Sequence, residues 1–288
     1  SWARDVHRSI SQVTPTEYRN AAALPAGGVL VVGASATGVQ LAHELRAAGR
    51  DVTLAVGRHR RMPRTYRGRD IYWWLLRLGL LDTSIESVRD ARGAPFEPSY
   101  QVVGRPDFRT VDLATLQADG VRLVGRATGA DGHRIRLSTD LSDSVTQADR
   151  RLARLLSDID AHIDAAGLGD ELPPAAPRAL VADSQHGESL HAQRDNIDVV
   201  LWATGHRRSY PWLSVPVLDQ RGEIRQHHGR TPVPGLYVLG QRFQHYRSSN
   251  WIWGAGRDAA EVCAPILDAH RTARRSRRYQ GLPDVHCA

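Results

Sequence analysis

A glycine-rich turn between an apolar strand and a helix restricts the folds available to this chain more than any other feature. Residues 29–32 are all apolar, which is typical of a buried parallel strand. The six residues that follow, 33–38, match G-x-G-x-x-G with Ser35 in place of the middle glycine. Gly33 permits the sharp turn, and Gly38 allows the next helix to lie close to the strand. This pattern predicts the opening of a dinucleotide-binding unit.

The elements after the turn complete that unit. A helix is predicted over residues 37–48, because apolar residues recur there at helical spacing, and a second strand is predicted over 51–56. The first N–H groups of a helix have no partner within the helix and attract phosphate groups. We therefore assign the pyrophosphate of a dinucleotide to Gly33, Ser35, Thr37 and Gly38.

The residues after the second strand indicate which nucleotide is bound. NAD-binding units usually have Asp or Glu there, about 20 residues beyond the glycines, to bind the ribose 2′-hydroxyl. This chain has no carboxylate at that place and continues as GRHRR over 57–61. Guanidinium groups bind phosphate well. Arg58, Arg60 and Arg61 are therefore predicted to bind the 2′-phosphate of NADPH.

The basic residues exclude several other functions. All 38 are arginine, so the chain lacks the lysine of a Walker loop, of a Tyr-x-x-x-Lys dehydrogenase site and of a Schiff-base enzyme. The net charge of +7 is spread along the chain without a nucleic-acid-binding motif, and no specific nucleic-acid partner is predicted.

Other compartments and sites are also disfavoured. No apolar run reaches the ~20 residues of a membrane helix, so no membrane span is predicted. Cys263 and Cys287 are far apart and form no C-x-x-C, which favours a reducing compartment and a cytoplasmic location. The histidines, including the pair His227 and His228, show no metal-ligand spacing, so no metal site is predicted.

The rest of the chain alternates further elements with loops. Residues 121–124 and 135–137 are predicted as two strands around a turn at 129–132. Helical periodicity predicts helices over 71–81, 144–166 and 257–269. An apolar strand is predicted over 197–205, and a turn with a short strand is predicted over 234–240.

Three segments together resemble one protein family. They are GVLVVGASATGVQLAHEL at 28–45, VVLWATGHRRSYPWL at 199–213 and PGLYVLG at 234–240. The chain resembles the flavin-dependent monooxygenases of the FMO and Baeyer–Villiger types, and among them the bacterial FAD/NAD(P)-dependent oxidoreductases. The resemblance covers most of residues 13–270. It implies an α/β flavoprotein with two dinucleotide-binding domains, in which a Rossmann-like NADPH-binding domain is inserted in an FAD-binding domain.

The resemblance also implies the domain boundaries. Residues 1–27 are expected to form a connecting segment, 28–205 the NADPH-binding domain, and 206–270 the C-terminal part of the FAD-binding domain. By its arginine-rich composition alone, 271–288 is predicted to be a disordered basic tail. The family's N-terminal FAD fingerprint is missing, so the FAD-binding domain is incomplete. We expect the sequence to be a fragment of a longer protein, the alternative being a lineage that lost its FAD half.

Two small-residue segments are assigned to the cofactors by the same resemblance. Ala203, Thr204 and Gly205 are expected where FAD and NADPH meet. Gly254, Ala255 and Gly256 are expected to open the last helix and direct its N-terminus at the flavin, which would stabilise an anionic reduced flavin. A close-packed helix start explains these glycines equally well. No catalytic acid or base is identified.

The implied activity is an NADPH-dependent monooxygenation of a small organic substrate. NADPH would reduce FAD, and O2 would form a C4a-(hydro)peroxyflavin that transfers one oxygen atom; the cofactors supply this chemistry. Two alternatives stay open: a stand-alone NADPH-binding or sensor protein without flavin turnover, and an NADPH-dependent flavin reductase. A homodimer is one way in which the flavin site could be completed.

Overall fold

The computed structural model describes residues 2–182 and 187–279, and the chain separates into two compact units. The first unit comprises the residues up to 74 together with 98–206, and the second comprises 75–97 together with the residues from 207 onward. Cys287 and the last part of the predicted basic tail, 280–288, lie outside the described residues.

The first unit is built around a five-stranded parallel sheet with the order β1-β10-β2-β3-β6. Its strands are β1 (Ser11–Val13), β2 (Val29–Val32), β3 (Val52–Val56), β6 (Arg122–Gly125) and β10 (Val199–Trp202). Two further strands of two residues each, β4 (Thr65–Tyr66) and β5 (Arg69–Asp70), form a small antiparallel pair. All residues of β2 and β3 are buried, as expected of parallel strands covered on both faces.

The two faces of this sheet are covered by different elements. The first three helices are α1 (Ala36–Ala47), α2 (Ile71–Arg77) and α3 (Leu113–Ala118). On one face of the sheet, Val31 and Leu54 pack with apolar residues of α1 and α3. On the other face, Leu30 and Val200 pack with residues of a three-stranded antiparallel sheet. The result is a mixed α/β unit with three layers.

The antiparallel sheet corrects one prediction. Its strands are β7 (Ala127–Asp131), β8 (Arg134–Leu137) and β9 (Ser189–His191), with β8 in the centre. Residues 121–124 were predicted to pair with 135–137, but 122–125 form β6 and join the parallel sheet beside β3. The actual partner, β7, has the sequence Ala-Thr-Gly-Ala-Asp, which has too few large apolar residues to show strand alternation.

The remaining helices lie where the periodicity predicts them, but their lengths differ from the predicted lengths. The helix α4 spans Leu141–Ala165, close to the predicted 144–166. The helix predicted over 71–81 ends at Arg77, because Gly79 adopts a φ of +65° before a short 3₁₀ turn. No helix within residues 2–182 and 187–279 is both long and apolar enough to cross a membrane.

The last helix, α5, spans Ile252–Tyr279 and therefore includes the first part of the predicted basic tail. Residues 271–279 are helical, where the sequence analysis expected disorder. Arginine and alanine are strong helix formers, so a basic composition does not exclude helix. Elsewhere in the second unit, the short strand predicted within 234–240 is reduced to a single bridge between Arg230 and Tyr237.

The predicted segments do not coincide with the two compact units, and their assignment to cofactor domains stays a prediction. The predicted connecting segment 1–27 includes β1, which pairs with β10 at the edge of the sheet; a three-residue strand gives too short a pattern to be predicted. Residues 75–97 were assigned to the NADPH-binding domain but group with the second unit. The division after His206 lies one residue from the expected boundary at 205.

Candidate functional site

The glycine turn at the carboxyl end of β2 closes tightly against β10. Gly33 has a φ of +108°, and a Cβ at this position would lie 3.0 Å from the carbonyl carbon of Ala203 and overlap its oxygen. A Cβ on Gly38 would overlap the carbonyl oxygen of Gly33 and lie 2.8 Å from its carbonyl carbon. Each glycine is therefore required by backbone approach, as the sequence pattern predicts.

The first turn of α1 begins directly at these glycines. Ser35 is the N-cap residue, but its hydroxyl makes no capping hydrogen bond. The first helical bond runs from the N–H of Val39 to the carbonyl oxygen of Ser35 at 3.0 Å. The preceding N–H groups of the first turn have no acceptor within the helix, and Thr37 is exposed beside them. This arrangement suits a pyrophosphate.

The turn lies where the strand order of the sheet reverses. From β2 the chain proceeds to β3 and β6 on one side, and it later returns to β10 on the other side. Ligands of open α/β sheets bind outside the carboxyl ends of the strands at such a point. Ala203 is buried beneath the turn, whereas Thr204 and Gly205 are exposed at the same edge. The structure thus brings the predicted ATG segment together with the glycine turn.

The three predicted arginines have different surroundings. Arg58 lies two residues after the end of β3 and is exposed. Arg60 is partly buried, and its guanidinium lies over the ring of Tyr100, 4.7 Å from the ring centroid. Between them, His59 is buried, and its Nδ1 donates to the carbonyl oxygen of Gly57 at 3.0 Å. Burial lowers the pKa of His59, which favours the neutral form of its imidazole.

Arg61 is enclosed by protein groups and does not fit the predicted phosphate role. Its Nε and Nη2 donate to one carboxylate oxygen of Asp112 at 2.9 and 2.6 Å, and its Nη1 donates to Asp149 at 2.7 Å. Nη2 also donates to the carbonyl oxygen of Ala179 at 2.5 Å. Burial alone would lower the pKa of Arg61, but the two carboxylates outweigh it and raise the pKa. Arg61 therefore joins the end of β3 to α3 and α4.

The sequence analysis missed a further arginine at this edge. Arg126 follows β6 directly and is exposed. Since β3 and β6 are parallel neighbours, with Val56 opposite Gly125, the residues after both strands lie side by side. A Cβ on Gly57 would lie 3.4 Å from Cδ of Arg126. Its position directly after an apolar strand could have identified Arg126. The prediction of a hairpin between 121–124 and 135–137 placed that strand outside the parallel sheet, so the position of Arg126 at this edge was not recognised.

The glycines at the start of α5 belong to the second unit. A Cβ on Gly254 would lie 2.6 Å from the carbonyl carbon of Ser248 and 2.8 Å from its Cβ. Packing against this preceding loop is thus sufficient to explain Gly254. No heavy atom lies within 4 Å of the position of a Cβ on Gly256. The flavin contacts predicted for Gly254 and Gly256 therefore stay predictions.

Sequence comparison finds relatives over nearly the whole chain, although no protein-family model matches it. The chain is 28% identical over 269 residues to a protein of Geobacillus kaustophilus named as an uncharacterised CzcO-like oxidoreductase, covering 93% of this chain and 60% of that protein. It is 25% identical over 265 residues to the uncharacterised oxidoreductase CzcO of Bacillus subtilis, covering 91% and 59%. The chain therefore spans about three fifths of the length of these relatives.

Structural comparison identifies the same kind of fold. A mutant of a flavin monooxygenase from Stenotrophomonas maltophilia superposes with a TM-score of 0.51 at 14% identity, covering 93% of this chain and 57% of the other. At that identity the likeness establishes the fold. The chain is thus similar in sequence to proteins named as oxidoreductases and in fold to a flavin monooxygenase, in agreement with the resemblance predicted from the motifs.

Proposed function

We propose that this chain provides the NADPH-binding domain, and the C-terminal part of the FAD-binding domain, of a flavoprotein monooxygenase that acts on a small organic substrate with O2. The observation that supports this most directly is the turn of Gly33 and Gly38 beneath Ala203, at the reversal point of a parallel sheet. The similarity to proteins named as oxidoreductases, over 93% of the chain for one of them, supports the oxidoreductase class.

The pyrophosphate of NADPH would bind at the first turn of α1. Gly33 and Gly38 allow the turn to lie close to the helix start, because a Cβ at either position would overlap a backbone carbonyl oxygen. The free first-turn N–H groups would donate to phosphate oxygens, and the positive end of the helix dipole adds to this attraction. The hydroxyl of Ser35, which makes no capping hydrogen bond, and the hydroxyl of the exposed Thr37 could act as further donors.

The 2′-phosphate would bind at the adjacent edge, beyond the carboxyl ends of β3 and β6. Arg58 and Arg126 are both exposed there, and no carboxylate follows β3 to bind a ribose 2′-hydroxyl. Arg60, stacked on Tyr100, remains a candidate for the same phosphate. Arg61 is left out of this site because Asp112 and Asp149 engage its guanidinium. These assignments make NADPH the preferred nucleotide.

The flavin part of the proposal rests on the similarity to relatives of whose length this chain spans about three fifths. When bound, NADPH would supply hydride and FAD would supply the oxygen chemistry, while the protein positions both. The exposed Thr204 and Gly205 lie at the same sheet edge as the glycine turn and are proposed to contact the cofactors. The C4a-(hydro)peroxyflavin route remains a prediction from the family resemblance, and no catalytic residue is assigned.

Nucleotide affinities of single-arginine variants test the proposal. Arg58→Ala and Arg126→Ala should each weaken NADPH binding about tenfold, since a hydrogen bond to a charged group contributes about 1.5–3 kcal/mol, and should leave NADH binding unchanged. Arg122→Ala is the matched control: Arg122 is an exposed arginine at the other end of β6, paired with Asp195 at 2.9 Å. An NADPH to NADH affinity ratio that is the same in both site variants and in wild type would refute the 2′-phosphate assignment.

A second measurement separates the three candidate activities. The purified chain is incubated with FAD, desalted, and examined by visible absorption. A retained flavin band with NADPH-dependent bleaching would support the flavoprotein, and a substrate screen under O2 would then separate the monooxygenase from the flavin reductase, which yields only peroxide. Tight NADPH binding without a flavin band would favour an NADPH-binding or sensor function for this part of the protein.

A further inference from the structure

Two histidines and a glutamate converge in the second unit. Glu86, in a 3₁₀ turn, meets the consecutive residues His227 and His228, and one ligand atom from each of the three lies within 4.8 Å of the other two. Nε2 of His228 contacts the carboxylate of Glu86 directly. The rings of His227 and His228 are stacked, with their centroids 4.2 Å apart. We propose that Glu86, His227 and His228 bind one divalent transition-metal ion of the Zn²⁺ type.

The donor set suits such an ion. Imidazole nitrogens and carboxylate oxygens bind Zn²⁺ at about 2.0–2.2 Å, and three protein ligands leave the fourth tetrahedral position to water. Tetrahedral binding at these lengths places donor atoms about 3.3 Å apart. Nε2 of His228 and the Glu86 carboxylate, which are now in direct contact, must therefore move apart to admit the ion between them. Glu86 and His227 are exposed and can rotate, whereas the partly buried His228 is the fixed member.

The backbone at His228 is part of a tight turn. His228 has a φ of +51° and Gly229 a φ of +78°. The N–H and carbonyl groups of His227 and Arg230 are hydrogen-bonded to each other at 2.9 and 3.0 Å. These features define a two-residue hairpin turn, for which Asn-Gly is the preferred sequence. The turn therefore fixes the backbone of His228, and its side chain contacts the Glu86 carboxylate.

Acidic groups behind the cluster favour a cation. The ring of His245 lies 4.3 Å from that of His228, centroid to centroid. Its Nε2 is 3.1 Å from Glu261 and its Nδ1 is 3.4 Å from Asp258, so both nitrogens face carboxylates and neither is placed to bind the ion. Asp258 is fully buried, and neither of its carboxylate oxygens has a hydrogen-bond partner. The carboxylates of Asp258 and Glu261 therefore lie one residue away from the proposed ligands, beyond His245, and such acidic surroundings favour a bound cation.

Zinc titration of the intact chain tests the site. The protein is stripped with a chelator and titrated with Zn²⁺ against a chromophoric competitor, which discounts weak binding by isolated histidines. We expect one equivalent of Zn²⁺ to bind with a Kd on the order of micromolar or tighter. Co²⁺ in place of Zn²⁺ should give the visible bands of a four-coordinate site. Uptake of less than one equivalent under these conditions would overturn the proposal.

Two variants show whether these residues hold the ion. His228→Asn removes a ligand but introduces the residue that this turn prefers, so the turn should persist. Glu86→Gln removes the charge with little change in shape. Each should weaken Zn²⁺ binding at least about tenfold. The control is His7→Asn, since His7 stacks on His133 at 4.0 Å in the first unit without forming a ligand cluster. Wild-type affinity in both site variants would leave only a His228–Glu86 ion pair and refute the metal site.

Discussion

The glycines that open α1 and α5 look alike in the sequence, but the structure gives them different causes. In the first unit, Gly33 and Gly38 allow the backbone of a turn to lie against Ala203, which follows the neighbouring strand β10 and is 165 or more residues away in sequence. In the second unit, Gly254 lies against Ser248, which is six residues earlier in the loop that precedes α5.

The difference shows when a small residue indicates a binding site. The α1 glycines lie at the carboxyl edge of a parallel sheet, where close approach of two strands combines with unpaired helix N–H groups. The contacts of Gly254 need no ligand, because they only connect a loop to the helix that follows it. A glycine pattern therefore supports cofactor binding more strongly when contacts with a distant strand require the glycines. It supports cofactor binding less when contacts with a neighbouring loop are sufficient to explain them.

Gly38→Ala should have the largest effect of any single change at these glycines. The added methyl would overlap the carbonyl oxygen of Gly33 and lie 3.4 Å from the Cβ of Ala203, and neither a strand end nor a helix start can move freely. We expect a loss of about 3 kcal/mol or more in the free energy of unfolding, measured with urea, and weak NADPH binding. A variant with unchanged stability and NADPH affinity would contradict the close-approach interpretation.

Gly254→Ala tests the other half of the comparison. Its methyl would overlap the carbonyl oxygen of Ser248, but the loop that contains Ser248 can adjust more easily than a buried strand. We expect a loss of about 1–3 kcal/mol in the free energy of unfolding and an unchanged NADPH affinity by fluorescence titration. Flavin retention that falls while stability stays at the wild-type value would instead favour the flavin contact predicted for Gly254.

Local signals explain why one region of the fold could be predicted closely. The prediction of strand, turn, helix and strand over 29–56 differs from the structure by one residue at each end of the helix and at the start of the second strand. An apolar run, a glycine turn and helical spacing all lie within 28 residues. No long-range contact is needed to recognise them, and the general flavoprotein resemblance follows from the same motifs.

Long-range contacts explain what could not be predicted. The guanidinium of Arg61 is held by Asp112, 51 residues later, and by Asp149, 88 residues later, so its sequence position beside Arg58 gave no sign of burial. Likewise, Glu86 meets His228 across 142 residues. Arginines next to one another in a loop share a sequence signal, but the tertiary structure decides which of them remains available to a ligand.

Gly256→Ala should have the smallest effect and serves as the matched control for both clashing variants. Gly256 lies inside α5, and no heavy atom lies within 4 Å of the position that its Cβ would occupy. Since alanine is the better helix former, we expect the free energy of unfolding to rise by about 0.5–1 kcal/mol. Urea denaturation and the flavin absorption assay measure the two properties separately. Stabilisation with unchanged flavin retention would mean that Gly256 is only a helix position; a loss of retained flavin in this more stable variant would show that the open space beside it is occupied by the cofactor.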